Sequence, residues 1–369
     1  MGSGSGTDDG SAGRMVLRRC PKGPGRQPAA VAVRGRAMRR SAWILVGFGV
    51  LLVVLAALLR FVVAPSATKL PGDTDSTTTY SGKGTVLNAA ALQSGDMANA
   101  IARDIPVTLD RRVYVSDTDG GTAIVHDDGT LKAGSSSSKD NHTYAVDRTK
   151  LTEAETVNGA QVEKHQGLTI TMPVDPKAAS DVYMYWDTPT RTAVPVKYVG
   201  TEKRGGRDTY HYRATASGAL ADPAMQQQLP AALPRTLAPA LLALLPAETQ
   251  QLLAPLVSRL PEQVPLSYTA SSTYDVWADA ELGAPLDTKI NRSVVANVAL
   301  GSTPIPLLPV LAIDVTADQA SVQQAVKDVD AAGLELAWIE SWGPLVLLIL
   351  GVLLGVLGLV VRRRTPGPA

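Results

Sequence analysis

Two stretches of the chain are apolar from end to end, and what lies between them alternates. Residues Ala42–Val63 carry no charge except Arg60, and Gly343–Val361 carry none. The unbroken part of the first, Ala42–Leu59, is close to the ~20 residues that a helix needs to cross a hydrocarbon core. It lacks the polar face of a helix packed on a soluble core. Transmembrane helices are therefore predicted at 41–63 and 342–361. From Pro65 to Gly218 the pattern has period two, with β-branched and aromatic runs between Gly, Asp and Ser clusters.

Within that region, Thr77–Asn88 reads as strand, Gly-Lys-Gly turn, strand. Ile105–Asp117 reads as a strand. Asp119-Gly120-Gly121 and Asp128-Gly129 read as hairpin turns around a short strand at Ile124 and Val125. Further strands are predicted at 143–148, 168–172, 181–186, 194–200 and 208–215. In the last of these, Tyr210 and Tyr212 share one face, and His211 and Arg213 the other. Alternation resumes at 266–279, 285–292 and 293–301. Trp186-Asp187 and Trp277-Ala278-Asp279 each read as the end of a strand entering an acidic turn. The expected fold is mainly β, an antiparallel sheet or open barrel.

Residues 219–265 break the period. They are rich in Leu, Ala, Pro and Gln, and prolines at 230, 234, 239, 246, 255, 261 and 265 cut them into short predicted helices. Pro246 suits a first helical turn, and Pro255 should kink the pattern around it. Leu241, Leu245, Leu253, Leu256 and Leu260 are the candidate apolar contacts. Two readings stay open: a small helical subdomain packed on the sheet, or an amphipathic lid that touches lipid or a partner. A last helix is expected after a capping box at Thr316 and Gln319. Val322, Ala325, Val326 and Val329 line its face, and Gly333 ends it.

Charge sets the orientation. Residues 1–63 hold 10 basic and 2 acidic groups, residues 64–341 hold 22 and 32, and Arg362, Arg363 and Arg364 follow the second span. Basic flanks stay cytoplasmic, so both termini are expected inside a plasma membrane and the domain 64–341 outside. Trp43, Trp338 and Trp342 fall at the predicted interfaces. The first span is longer than a signal-peptide core, and Pro65 disfavours cleavage, so an uncleaved signal anchor is expected. Residues 1–40 read as a disordered basic leader and 362–369 as a basic tail. Met1, Met15 and Met38 are all candidate starts. The single cysteine, Cys20, lies in the leader, so the outer domain has no disulfide.

An acidic outer domain excludes nucleic acid. His126, His142, His165 and His211 have no metal-ligand partner at helical or Cys-x-x-Cys spacing. The acids Asp117, Asp119, Asp127 and Asp128 read as turn residues rather than a Ca²⁺ loop. Asp187 and Asp279 read as separate turn caps. No nucleophile elbow, phosphate loop or zinc-protease motif occurs. Neither catalysis, a metal nor a cofactor is expected.

The segments Arg39–Asn88, His142–Arg148 and Tyr185–Ser217, with the C-terminal span and its arginines, resemble an actinobacterial two-span membrane family, the PorA-family porins. The resemblance implies a cell-envelope protein with an external domain. The strands lack the repeated outward apolar band of a membrane barrel. The leading functional expectation is a non-enzymatic ectodomain that binds or transfers an apolar ligand or lipid. The alternatives are an assembly partner of other envelope proteins and an oligomeric pore.

Overall fold

The computed structural model describes residues 34–363, apart from 89–90, 92–93, 97–98, 135, 246 and 301–302. Residues 1–33 of the leader with Met1, Met15 and Cys20, together with Pro246 and most of the basic tail, lie outside the described residues. Residues 34–40 with Met38 are helical, contrary to the disordered reading of the leader's end. The chain forms two compact units, Met1–Leu51 with Gly351–Ala369, and Leu52–Leu350.

In the first unit, helix α1 (Arg34–Leu58) meets the last helix, Gly343–Arg363. Glycine makes the contact. A Cβ on Gly49 would stand 2.6 Å from the Gly351 carbonyl and 2.9 Å from the Gly355 nitrogen. A Cβ on Gly358 would lie 3.0 Å from the Ala42 carbonyl. Small residues let helix backbones approach where no water drives association. Trp43, Phe48, Leu353 and Leu357 are exposed around this contact. Both helices are long and apolar enough to cross a membrane.

The second unit is a curled antiparallel sheet of eleven strands. They are β1 (Asp75–Leu87), β2 (Ile101–Asp119), β3 (Thr122–Ala133), β4 (Ser136–Asp147), β5 (Met184–Asp187), β6 (Thr192–Arg204), β7 (Arg207–Ala219), β8 (Ala232–Pro234), β9 (Gln263–Asp279), β10 (Pro285–Leu300) and β11 (Thr303–Ala317). Their order is β4-β3-β2-β1-β11-β10-β9-β7-β6-β5, and β8 extends the β9 ladder beyond the end of β7. The first and last strands of the chain thus pair at the middle of the sheet.

Several turn expectations are corrected. Gly82-Lys83-Gly84 is not a turn: β1 runs through it. A side chain at Gly82 would collide with the Asp314 carbonyl of β11, so these glycines serve close strand approach. Asp128-Gly129 lies inside β3, where Gly129 pairs with both Arg111 and Asp140. Strand β11 carries no sequence expectation, because Pro304, Pro306 and Pro309 disfavour a ladder. Those prolines lie beyond the end of β1, whose pairing with β11 covers only Leu311–Ala317. They pair on the β10 side alone, where the register shifts twice.

Residues 148–183 form no long strand, contrary to the reading of 168–172. They run as a strap between the two ends of the sheet. Val146 and Tyr144 of β4 bridge Glu153 and Glu163, and Leu168 bridges Tyr185 of β5. The Leu168 amide donates to Met184 O (2.7 Å), and the Trp186 amide donates to Leu168 O (2.8 Å). His165 Nε2 lies 3.2 Å from Ala145 O. Trp186 packs against Ala123, Val125, Tyr144 and Val146. A sheet whose β4 and β5 edges take partners this way is protected from adding foreign strands there.

The insert contains helices α2 (Pro223–Gln227), α3 (Ala238–Leu242) and α4 (Ala247–Leu253), besides β8. Pro255 does not kink a helix: α4 stops at Leu253 and a 3₁₀ turn carries Pro255. After β11, helix α5 (Gln319–Ala337) is capped by Asp318, which accepts from the Ser321 amide at 2.7 Å. Thr316 belongs to β11, so the predicted capping box does not form. Gly333 does not stop the helix. It passes through a π turn at Trp338–Trp342 into α6 (Gly343–Arg363).

Candidate binding cavity

Alternation puts every second residue of the sheet on its concave face. Leu109 and Arg111 of β2, Asp127 and Leu131 of β3, Asp140, His142 and Tyr144 of β4, Tyr274 of β9, and Ile290, Arg292 and Val294 of β10 all line one cavity of about 260 Å³. Met225, Gln228, Leu229 and Pro230 from the insert complete its wall. The lining changes character along the strands. Arg111, Gly129 and Asp140 are register neighbours, and the next inward row is Leu109, Leu131 and Ser138. On β10, Arg292 is followed by Val294 two residues on. Charged groups therefore gather at one level and aliphatic ones, with Val86, Leu87, Val310 and Leu311, at another.

The charged level is a connected network. Arg111 donates twice to Asp127, at 2.7 and 2.6 Å. Arg292 reaches Asp140 at 3.1 Å and the Tyr274 hydroxyl at 3.3 Å. That hydroxyl donates to Asp187 at 3.1 Å. His142 stands between two carboxylates, with Nε2 2.8 Å from Asp140 and Nδ1 2.9 Å from Glu163. Glu163 also accepts from Arg191 at 2.8 Å. Carboxylates only accept, so both ring nitrogens carry protons and the imidazole is cationic. Burial opposes that charge, but the hydrogen bonds that His142 donates to Asp140 and Glu163 outweigh it and push the His142 pKa up to about 10. Burial likewise works against ionised Asp140, yet His142 and Arg292 hold it well below the usual carboxylate range.

Asp222 joins this level from the start of α2. Its side chain is buried, and burial raises its pKa. Ligand-capable atoms of His142, Glu163 and Asp222 all lie within 4.8 Å of one another.

The predicted contact leucines fall elsewhere. Leu241 and Leu245 are buried and, with half-buried Leu260, line a separate cavity of about 50 Å³ walled entirely by apolar residues. The side chains of Leu253 and Leu256 lie outside the described residues. The insert's contribution to the large cavity comes instead from Met225 and Leu229, which sequence reasoning did not select. The inward charged level was not selected either; period-two placement of Arg111 and Arg292 within apolar strands was its only trace. Asp187 accepts from the Thr190 amide and hydroxyl, and Asp279 from the amides of Glu281 and Leu282, each capping its own turn. Tyr210 and Tyr212 face a tyrosine cluster with Tyr183 and Tyr198. His211 lies on the opposite face, 2.7 Å from Asp275.

Residues 41–360 match the model of a protein family described as Porin PorA. The chain belongs to this family. The match takes in both apolar helices and the whole sheet. No curated protein matches the chain. A PorA-family chain that crossed a membrane on its strands would need an outward apolar band about 25 Å tall. Among the described residues of the sheet and its connections, the exposed large hydrophobics are Val182, Met184 and Val199. The sheet's solvent side carries Arg112–Asp75, Lys132–Asp110 and Lys289–Asp314 pairs. The long runs of exposed apolar side chains in this PorA-family member are on its two membrane-compatible helices.

Proposed function

We propose that this protein is a membrane-tethered binding protein whose β-domain, held outside the membrane, encloses an amphipathic ligand. The observation that carries the reading is the 260 Å³ cavity with a charged level, an aliphatic level and a wall from the insert. The volume is slightly below the ~300–1,000 Å³ of ordinary ligand sites. The aliphatic level favours a chain or ring system, and the tyrosine and ion-pair level favours a polar head. In this reading the β-domain does no chemistry, and α2 with Leu229 acts as the lid.

Native mass spectrometry of the full chain, released from detergent micelles, tests it. The expected result is a stoichiometric adduct of amphipathic character, lost when Val294→Trp fills the aliphatic level. If that variant does not fold, Leu131→Phe serves the same purpose. A wild-type chain without any adduct, or filled variants that keep theirs, would overturn the proposal.

Family membership favours a second reading, an oligomeric pore. The sheet's charged outer side argues that such a pore would be built from the helices of several copies. Channel activity of the purified chain in planar bilayers would support this reading.

A further inference from the structure

We propose that His142, Glu163 and Asp222 form a binding site for one divalent cation of the zinc class. The three residues come from β4, the strap and the insert, and the fold brings their ligand atoms within 4.8 Å of one another. One nitrogen and two carboxylate oxygens, with room for water or a ligand, is a donor set that zinc accepts.

Two independent features point to a cation. Asp222 is 1% exposed, and it accepts from the Met225 amide at 2.7 Å. Among the described residues no cation stands at ion-pair distance from it, whereas Asp140 and Glu163 are matched by Arg292 and Arg191. The cationic His142 ring lies within 4.8 Å of it but not at ion-pair distance. A buried carboxylate held by an amide rather than a paired cation is costly, and a metal ion beside it supplies closer charge. The second feature is the orientation of His142. Its Nε2–H is held by Asp140 at 2.8 Å, which leaves Nδ1 on the Glu163 side. A carboxylate gripping one ring nitrogen while the other faces the metal is the usual support of a ligating histidine. On binding, the Nδ1 proton leaves to solvent, Nδ1 and Glu163 part from their 2.9 Å contact to admit the ion, and Asp222 joins them as the third ligand. His142 also lines the large cavity, which gives the ion a way in.

The test is isothermal titration of the full, tag-free, chelator-treated chain in detergent with Zn²⁺, followed by Co²⁺ absorption and its displacement by Zn²⁺. Saturable binding of one ion per chain is expected, with visible Co²⁺ bands. Asp222→Asn and Glu163→Gln should each weaken binding at least tenfold, and His142→Gln should abolish the Co²⁺ bands. Melting curves of each metal-free variant separate lost ligation from lost folding. Absence of saturable binding by the wild type overturns the proposal. So does binding retained at wild-type strength by all three variants, because the ion would then sit elsewhere. Neither outcome touches the amphipathic-ligand reading, whose adduct is measured without metal.

Discussion

Gly49 and Gly351 touch backbone to backbone: any Cβ at position 49 would stand 2.6 Å from the Gly351 carbonyl oxygen. No side chain larger than hydrogen fits without moving one helix off the other. Gly49→Val should therefore destabilise the helix pair by about 1–3 kcal/mol, the usual cost of overpacking. Gly355→Ala should be tolerated, because a Cβ there meets nothing within 4 Å. Thermal melts of both variants in the same detergent check the contrast. Equal losses would mean that the helices do not cross at Gly49.

The strap makes a second prediction. Leu168 is 2% exposed, and its backbone holds β5 on both sides. Leu168→Ala should cost about 2–5 kcal/mol. It should also raise hydrogen exchange at the Trp186 amide, which donates to Leu168 O. Unchanged exchange there would show that the strap does not hold the sheet's end.

Asp287 gives a pH dependence of unusual sign. Burial raises its pKa, ahead of the opposing attraction of Arg204, and one of its oxygens is buried without a hydrogen-bond partner. A carboxyl whose folded pKa lies above its unfolded value of about 3.8 binds protons more tightly when folded. Its ionised form therefore weakens the fold at neutral pH, and that loss is recovered as pH falls through the folded pKa toward the unfolded one. Asp287→Asn should raise the melting temperature at pH 7, with the gap closing in acid. A variant less stable than wild type at pH 7 would reverse the sign and refute the argument.

Leu241 tests the insert. It is buried against Ala100, Leu220, Val294 and Leu308. Leu241→Ala should cost about 2–5 kcal/mol if this packing holds the subdomain to the sheet. A neutral effect on denaturant midpoint would indicate that the insert lies free of it.

Orientation is open to direct labelling. In a Cys20→Ser background, an impermeant thiol reagent should label Ser136→Cys but not Thr365→Cys in intact spheroplasts, because basic flanks stay inside. The opposite pattern would invert the proposed topology.

What the sequence made legible was what repeats along the chain. The two apolar helices, the alternation of β7 with tyrosines on one face, and the Asp119-Gly120-Gly121 hairpin all read correctly, since each is set by neighbours. Strand β11 was hidden because three prolines argue against a ladder, and only the early end of β1 makes them harmless. Gly82 and Gly129 looked like turn residues, yet each is small because another backbone presses on it. Gly333 looked like a helix stop, but the helix continues straight through it into α6. His142, Glu163 and Asp222 gave no signal, as nothing local ties a strand, a strap and a helix cap together. Leucine count drew attention to Leu241 and Leu245, while the large cavity took Met225 and Leu229.

The pairing of β1 with β11 bears on how the domain comes to be folded at all. β1 emerges first from synthesis, and its partner on one side is the last strand made. Until β11 arrives, β1 and β10 each present an unpaired edge in the middle of the unfinished sheet. Contacts between the two ends of a chain are slow to form, and waiting edges invite association with the wrong strand. The central seam should thus close last, and truncations before Thr303 should leave an aggregating remnant rather than a smaller working domain.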